Sequence, residues 1–198
     1  MARLVLASTS PYRRELLSRL RLPFEVLAPD IDEIARDAES PMALAQRLAQ
    51  DKAHAAARHV GTRDAVIVAA DQTAARDEVL LRKPGTHLAA IDQLRACQGK
   101  SVRFFTAATI IDCRTGSAWH DIDVTEVAFR QRSDEALDRY LRIEQPYDCV
   151  GGFKAEGLGI TLFAAIQSRD PTALIGLPLI WVGRVLEELG LDPLRADS

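Results

Sequence analysis

The amino-terminal seventeen residues restrict the fold more than any other stretch. Leu4, Val5 and Leu6 form an apolar run too short for a lone helix and suited to a covered strand. Ser8, Thr9 and Ser10 stop it. Ser10 is a good helix N-cap, and Pro11 fits the first helical position, where its missing N–H is not needed. Leu16, Leu17 and Leu20 give the next helix one apolar face. The spacing predicts strand, hydroxyl-rich loop, then helix. Free backbone N–H groups at the helix start, the hydroxyls and the guanidinium groups of Arg13 and Arg14 are expected to converge on one point, a site for an anion such as phosphate. The plain alternative is a capped helix with two solvated arginines, and these residues alone favour it. Exposed arginines there oppose the helix dipole by roughly 0.3–1 kcal/mol each, a conflict that a bound anion removes.

Strand and helix signals then follow down the chain. Phe24–Ala28 is a second expected strand, leading into a loop that crowds Asp30, Asp32 and Glu33 together. Such a loop is most simply an acidic turn; alternatively, one carboxylate holds a divalent cation. Ser40-Pro41 opens a helix to about His59. Lys52 follows Leu44 and Leu48 at steps of four and so shares their face. It either snorkels past the core rim or points its charge into a cleft. Ala65–Ala70 reads as a buried strand delivering Asp71 and Gln72 at its end, where α/β sheets bind ligands; a strand-end aspartate is also a common turn former. Thr73–Arg76 and Val79–Arg82 read as a hairpin, and Thr86–Cys97 as a helix carrying Leu88, Ile91 and Leu94. Ser101–Asp112 and Ser117–Arg130 should pair as a long antiparallel hairpin. Ser133 starts a helix to about Ile143. Residues 151–159 hold four glycines, enough for sharp turns or close approach to a ligand, with Lys154 and Glu156 among them. Ile160–Ile166 is expected as a strand, Leu179–Leu189 as the last helix, and the tail after Pro193 as frayed.

A chain of 198 residues can bury a core in one domain or in two lobes sharing a sheet. Its net charge of −3 argues against a general nucleic-acid binder. Up to Arg21, however, five arginines face one glutamate, a local +4 that suits a small anionic ligand. Cys97, Cys113 and Cys149 are odd in number and lack a CxxC spacing, so neither a disulfide framework nor a zinc site is indicated. No charged-then-apolar leader occurs, and no apolar run approaches the ~20 residues that span a membrane. A cytoplasmic protein with no membrane partner is expected.

Basic residues after a strand, a lysine on a helix face, an aspartate at a strand end, a loop lysine and an acidic loop together equip a protein to hydrolyse a phosphoanhydride. No GxxxxGK[ST] loop is present. The segments LASTSPYRRELL, APDIDE, the DKA of the long helix, AADQ, LRKP, VGGFKAEGLG and LIGLPL, in this order and spacing, resemble the Maf family of nucleotide pyrophosphatases over essentially the whole chain. The resemblance implies one domain over residues 1–198. Its fold would be α/β, with two lobes around a central mixed, twisted sheet and a deep cleft, as in inosine-triphosphatase-like proteins. It implies cleavage of nucleoside triphosphates to monophosphate and pyrophosphate with a divalent metal (Mg, Mn or Co), and leaves a homodimer open. Carried over by position, Asp71 is the general base, Ser8, Arg13, Lys52 and Lys83 bind the triphosphate, and Glu33 assists the metal. Lys154 of the glycine-rich loop is a further substrate-binding candidate.

The branch is also indicated by the resemblance. Members specific for dTTP and UTP carry SPRR, DT and a loop glutamine, where this chain has Tyr12, Gln72 and Glu156. The pattern resembles the branch acting on 7-methyl-GTP, which usually has tryptophan at the place of Tyr12. N7-methylation makes guanine cationic. An aromatic face attracts a cation by ~0.5–2 kcal/mol, and a carboxylate accepts from the guanine N1–H and amino group. Tyr12 and Glu156 are therefore expected to read the base, with Gln72 adding hydrogen bonds. The alternatives are a pyrophosphatase for dTTP, UTP or other non-canonical nucleotides, and a non-catalytic nucleotide-binding regulator of cell division.

Overall fold

The computed structural model describes residues 2–61 and 64–195. Ala196, Asp197 and Ser198, the end of the tail expected to fray, lie outside the described residues. The opening strand is β1 (Arg3–Ala7), and helix α1 (Pro11–Ser18) follows directly, with the Arg13 N–H donating to Ser10 Oγ at 3.4 Å as the cap. The chain continues through β2 (Phe24–Leu27), α2 (Pro41–Val60), β3 (Ala65–Arg76), β4 (Val79–Leu81) and α3 (His87–Cys97). Next come β5 (Ser101–Asp112), β6 (Ser117–Phe129), α4 (Asp134–Glu144), β7 (Phe163–Gln167) and α5 (Leu179–Glu188). Single 3₁₀ turns occupy Val150–Gly152, Leu158–Leu162 and Ala173–Ile175.

One seven-stranded mixed sheet runs through the molecule in the order β2-β1-β3-β5-β6-β7, with β4 paired to β3. β1 is parallel to both β2 and β3, and every other pairing is antiparallel. β5 and β6 pair from Ser101↔Ala128 to Asp112↔Ser117, the long hairpin the sequence predicts.

In the parallel half β1 and the first part of β3 are covered on both faces and are accordingly apolar runs, while the edge strand β2 carries the exposed Glu25 and Val26. Leu16 and Leu17 of α1 and Val182, Val185 and Leu186 of α5 pack on Leu4, Leu6, Val66 and Val68. Ala53, Ala56 and Val60 of α2 pack on Val5, Ile67 and Ala69 of the opposite face. Alanines on that helix face let α2 lie close to the sheet. The antiparallel half has its own core, in which Leu94, Leu137 and Leu141 of α3 and α4 close over Phe104, Phe129, Phe153 and Phe163. These four rings meet edge-on with centroids 4.9–5.5 Å apart, the arrangement that ring quadrupoles favour.

Three expectations are corrected. β3 does not end at Ala70 but runs to Arg76, because its pairing with β5 continues unbroken from Val66↔Asp112 to Ala75↔Arg103. Ile160–Ile166 is not one strand: Gly157 and Gly159 favour a 3₁₀ turn to Leu162, and β7 begins at Phe163. Leu88 shares no core face and is exposed, since α3 buries Ala90, Leu94 and Cys97 instead.

Candidate active site

β1 accompanies β3 as far as Leu6↔Val68, and β4 joins it only from Ala74↔Leu81. Among the described residues, positions 69–73 of β3 thus have β5 on one side and no strand on the other. Asp71 and Gln72 lie in this gap. A cavity of about 780 Å³ opens over it, walled by the Ser8–Arg13 turn and α2 on one lobe and by residues 80–83 and 148–156 on the other. Alternation along β3 turns Asp71 toward α2 and Gln72 toward the turn at Ala173–Ile175. Asp71 is therefore a mid-strand residue beside the carboxyl end of β1, and not the end of its own strand.

Lys52 is buried on α2 with Leu44 and Leu48, and its charge enters the cleft. Its Nζ lies 2.5 Å from Asp71 Oδ1 and 2.7 Å from Glu33 Oε1. Desolvation raises the Glu33 pKa, but the hydrogen bond and charge of Lys52, followed by the charges of Lys83 and Arg13, outweigh it and bring the carboxyl below its ordinary value. Burial lowers the Arg13 guanidinium pKa, while Asp71 and Glu33 act to raise it. These long-range couplings put Arg13, Glu33, Lys52, Asp71 and Lys83 in one electrostatic group. Ser8 is buried at the same wall, where its Oγ accepts from the Ser10 N–H at 3.1 Å and keeps its own proton free to donate.

A second group lies on the other side of Tyr12. The Tyr12 hydroxyl is 3.5 Å from Cys149 Sγ. Burial raises the Tyr12 phenol pKa, followed by the Cys149 contact and the nearby charges of Cys149, Asp148 and Glu156. Burial also pushes the Cys149 thiol up to about 11. Tyr12, Asp148, Cys149 and Glu156 all line the cavity. The cleft is therefore cationic around a central acid at one end, and aromatic with two carboxylates at the other.

Not every expected residue reaches it. Arg13 and Arg14 do not converge: successive helix positions differ by about 100°, so Arg13 lines the cleft while Arg14 is exposed on a separate groove with Phe24 and Val26. The Lys154 ammonium donates to Glu144 O at 3.0 Å, satisfying a carbonyl at the end of α4 rather than entering the cavity. The Gln72 amide nitrogen faces Thr106 Oγ1 at 2.9 Å and the carbonyls of Ala173 and Leu174 at 3.0 Å each. Two hydrogens already face three acceptors, so the amide can offer a base only its Oε1 acceptor. In the glycine-rich loop, Gly151 makes a turn at φ +86, where a Cβ would lie 2.9 Å from the Phe153 ring. That glycine serves packing and not ligand approach. Sequence reasoning missed Arg82, Asp148 and Cys149 as cleft residues. Arg82 stands next to Lys83 in LRKP, and that adjacency is the signal that was present.

Among the described residues no group of three or more His, Cys, Asp or Glu is placed to hold a metal ion by itself. The donor set does fit a hard divalent cation shared with phosphates, which needs only one or two carboxylates from the protein. Glu33 and Asp71 meet at one point, each with one oxygen on Lys52 and the other without a hydrogen bond among the described residues.

The sheet with its interrupted β3 edge and the cleft above it, lined by Arg13, Lys52, Arg82 and Lys83, define a two-lobed α/β protein with a cation-lined cleft. The family described as Maf-like protein matches residues 3–189, and the chain belongs to that family. It is 50% identical over 194 residues to the 7-methyl-GTP pyrophosphatase of Albidiferax ferrireducens, covering 98% of this chain and 96% of that protein. It is similarly 50% identical over 188 residues to the protein of that name from Cupriavidus metallidurans (94% and 93% covered). The protein of that name from Paraburkholderia xenovorans is 49% identical over 195 residues (98% and 95%). No helix among the described residues is long and apolar enough to cross a membrane.

Proposed function

We propose that this chain hydrolyses 7-methyl-GTP to 7-methyl-GMP and pyrophosphate. The observation that carries the reading is the division of one cleft into a cationic end centred on Asp71 and an aromatic, acidic end formed by Tyr12, Asp148 and Glu156. A triphosphate suits the first end and a cationic purine the second. The names of the relatives agree with both halves.

In this reading Arg13, Lys52, Lys83 and the Ser8 hydroxyl hold the phosphate chain, and Arg82 adds charge at the rim. Asp71 accepts the proton of a water that attacks the α-phosphorus. The α–β bridging bond breaks and pyrophosphate leaves, its charge neutralised by the same cations. Phosphoryl chemistry of this type depends on positioning and charge neutralisation more than on covalent participation by the protein. Glu33 and Asp71 would hold a divalent cation, which supplies further neutralisation of the phosphate oxygens. At the other end the Tyr12 ring offers its face to the methylated base, and Glu156 accepts from the N1–H and amino group.

The test is a panel of 7-methyl-GTP, GTP, dTTP and UTP with pyrophosphate detection. The highest kcat/KM is expected for 7-methyl-GTP, with pyrophosphate and not phosphate as product. A preference for dTTP or UTP would move the chain to another substrate, and binding without turnover would make it a regulator.

A further inference from the structure

The hydrogen-bond pattern around Gln72 leads from the sheet to Arg13. The carbonyl oxygen of Ala173 accepts from Gln72 Nε2 at 3.0 Å, from Thr106 Oγ1 at 2.9 Å and from the Gly176 N–H at 2.9 Å. Gln72 also holds the Leu174 carbonyl at 3.0 Å and reaches Thr106 Oγ1 at 2.9 Å. Gln72 and Thr106 are directly opposite on β3 and β5, so both side chains rise from one face of the sheet. Thr106 is fully buried. The two carbonyls fix the orientation of the Gln72 amide, because only its NH₂ can face them. The peptide that they pin ends at Gly176, whose φ of +128 suits glycine and whose carbonyl accepts from Arg13 Nε at 3.0 Å. Arg13 lies over this glycine, with its Cγ and Nε within 3.7 Å of where a Cβ would stand.

We infer that Gln72 and Thr106 are positioning residues for the phosphate end of the cleft, seating Arg13 through the Ala173–Gly176 turn. The inference rests on the reading above, in which Arg13 binds the triphosphate. With Nε committed to Gly176, the two terminal nitrogens of the guanidinium carry no hydrogen bond among the described residues and keep their forked donors for phosphate oxygens. Arg13 is otherwise a long, rotamer-rich side chain. A fixed carbonyl at its Nε is what holds the fork in one direction.

The experiment compares Gln72→Glu, Thr106→Val and Thr106→Ser with Arg13→Ala in the full chain. It reads kcat/KM for 7-methyl-GTP and for GTP, together with inhibition by inorganic triphosphate. Gln72→Glu sets oxygens against the Ala173 and Leu174 carbonyls, and Thr106→Val removes one donor while keeping the shape. Each is expected to lower kcat/KM by about 10- to 100-fold for both nucleotides, as a displaced positioning group does. Inorganic triphosphate should weaken with them, and the ratio between nucleotides should stay within about twofold. Thr106→Ser should restore activity, and Thr106→Val should add nothing to Arg13→Ala, since residues acting through one group are not additive. A shifted nucleotide ratio with unchanged triphosphate inhibition overturns the inference. Full additivity with Arg13→Ala, or wild-type triphosphate inhibition in both variants, does the same. If Gln72→Glu does not fold, the Thr106 variants decide. If Arg13→Ala itself leaves triphosphate inhibition unchanged, the role given to Arg13 fails first and takes the inference with it. That outcome is distinct from one in which Arg13→Ala matters and the Thr106 variants do not.

Discussion

Lys52 and Asp71 form an ion pair of 2.5 Å that joins α2 to the bare edge of β3, with side chains only 8% and 10% exposed. The helix face that carries Leu44 and Leu48 into the core therefore also delivers a charge to the cleft floor. Glu33, from the loop between β2 and α2, extends the pair to a third group.

Breaking this pair from one side should be costly. Lys52→Met leaves the Asp71 carboxylate largely enclosed without its partner, and the expected loss is about 3 kcal/mol. Urea unfolding measures it. The double variant Lys52→Met with Asp71→Leu should recover most of the loss, because the enclosed carboxylate goes with its partner and the Glu33 side chain that remains is 60% exposed. A loss below about 1 kcal/mol for Lys52→Met would mean that the pair behaves like a solvated one.

Selection of the methylated base is assigned to Tyr12 and Glu156. Glu156→Gln and Tyr12→Leu should each lower the ratio of kcat/KM for 7-methyl-GTP over GTP by about tenfold, the scale of one cation–aromatic or charge-assisted contact. Turnover of GTP should change little in Tyr12→Leu and should fall in Glu156→Gln by less than that of 7-methyl-GTP, because GTP shares the N1–H and amino group but not the positive charge. A ratio that stays constant in Glu156→Gln would remove that carboxylate from base reading.

Glu33 makes stability depend on pH in a defined direction. Desolvation raises its pKa, but Lys52, Lys83 and Arg13 lower it further, so the folded value lies below the ordinary 4.5. A depressed folded pKa adds stability that is fully present above the unfolded value and is lost as pH falls through the folded one. The difference in urea midpoint between wild type and Glu33→Gln should therefore shrink between about pH 6 and about pH 3. A difference that is constant or larger in acid would contradict the coupling to Lys52.

The legible parts of this chain were those governed by local rules. Ser10-Pro11, Ser40-Pro41 and Thr86 mark helix starts, and each of the three hydroxyls accepts from the expected N–H. The hairpin of β5 and β6 follows from its β-rich pattern and Cys113–Gly116 turn. Asp71-Gln72 interrupts the apolar run of β3 and makes the strand look shorter than it is, yet β5 pairs through both residues. Polar residues there answer to the cleft and not to the strand. Arg13 and Arg14 differ only by which way α1 faces, and that depends on α5 and β1 packing behind Leu16 and Leu17. The fate of Gln72 and Lys154 rests on partners at Ala173 and Glu144, distant in sequence, which no local pattern announces.

The central claim is that the Asp71 carboxylate is the base in a cleft whose cations hold a triphosphate. Steady-state hydrolysis of 7-methyl-GTP by Asp71→Asn, followed by pyrophosphate release, tests it most directly. The account predicts a kcat lowered by about 10²–10⁴-fold, the range for removal of a general base, with KM changed only a few-fold. A kcat within a few-fold of wild type would contradict it.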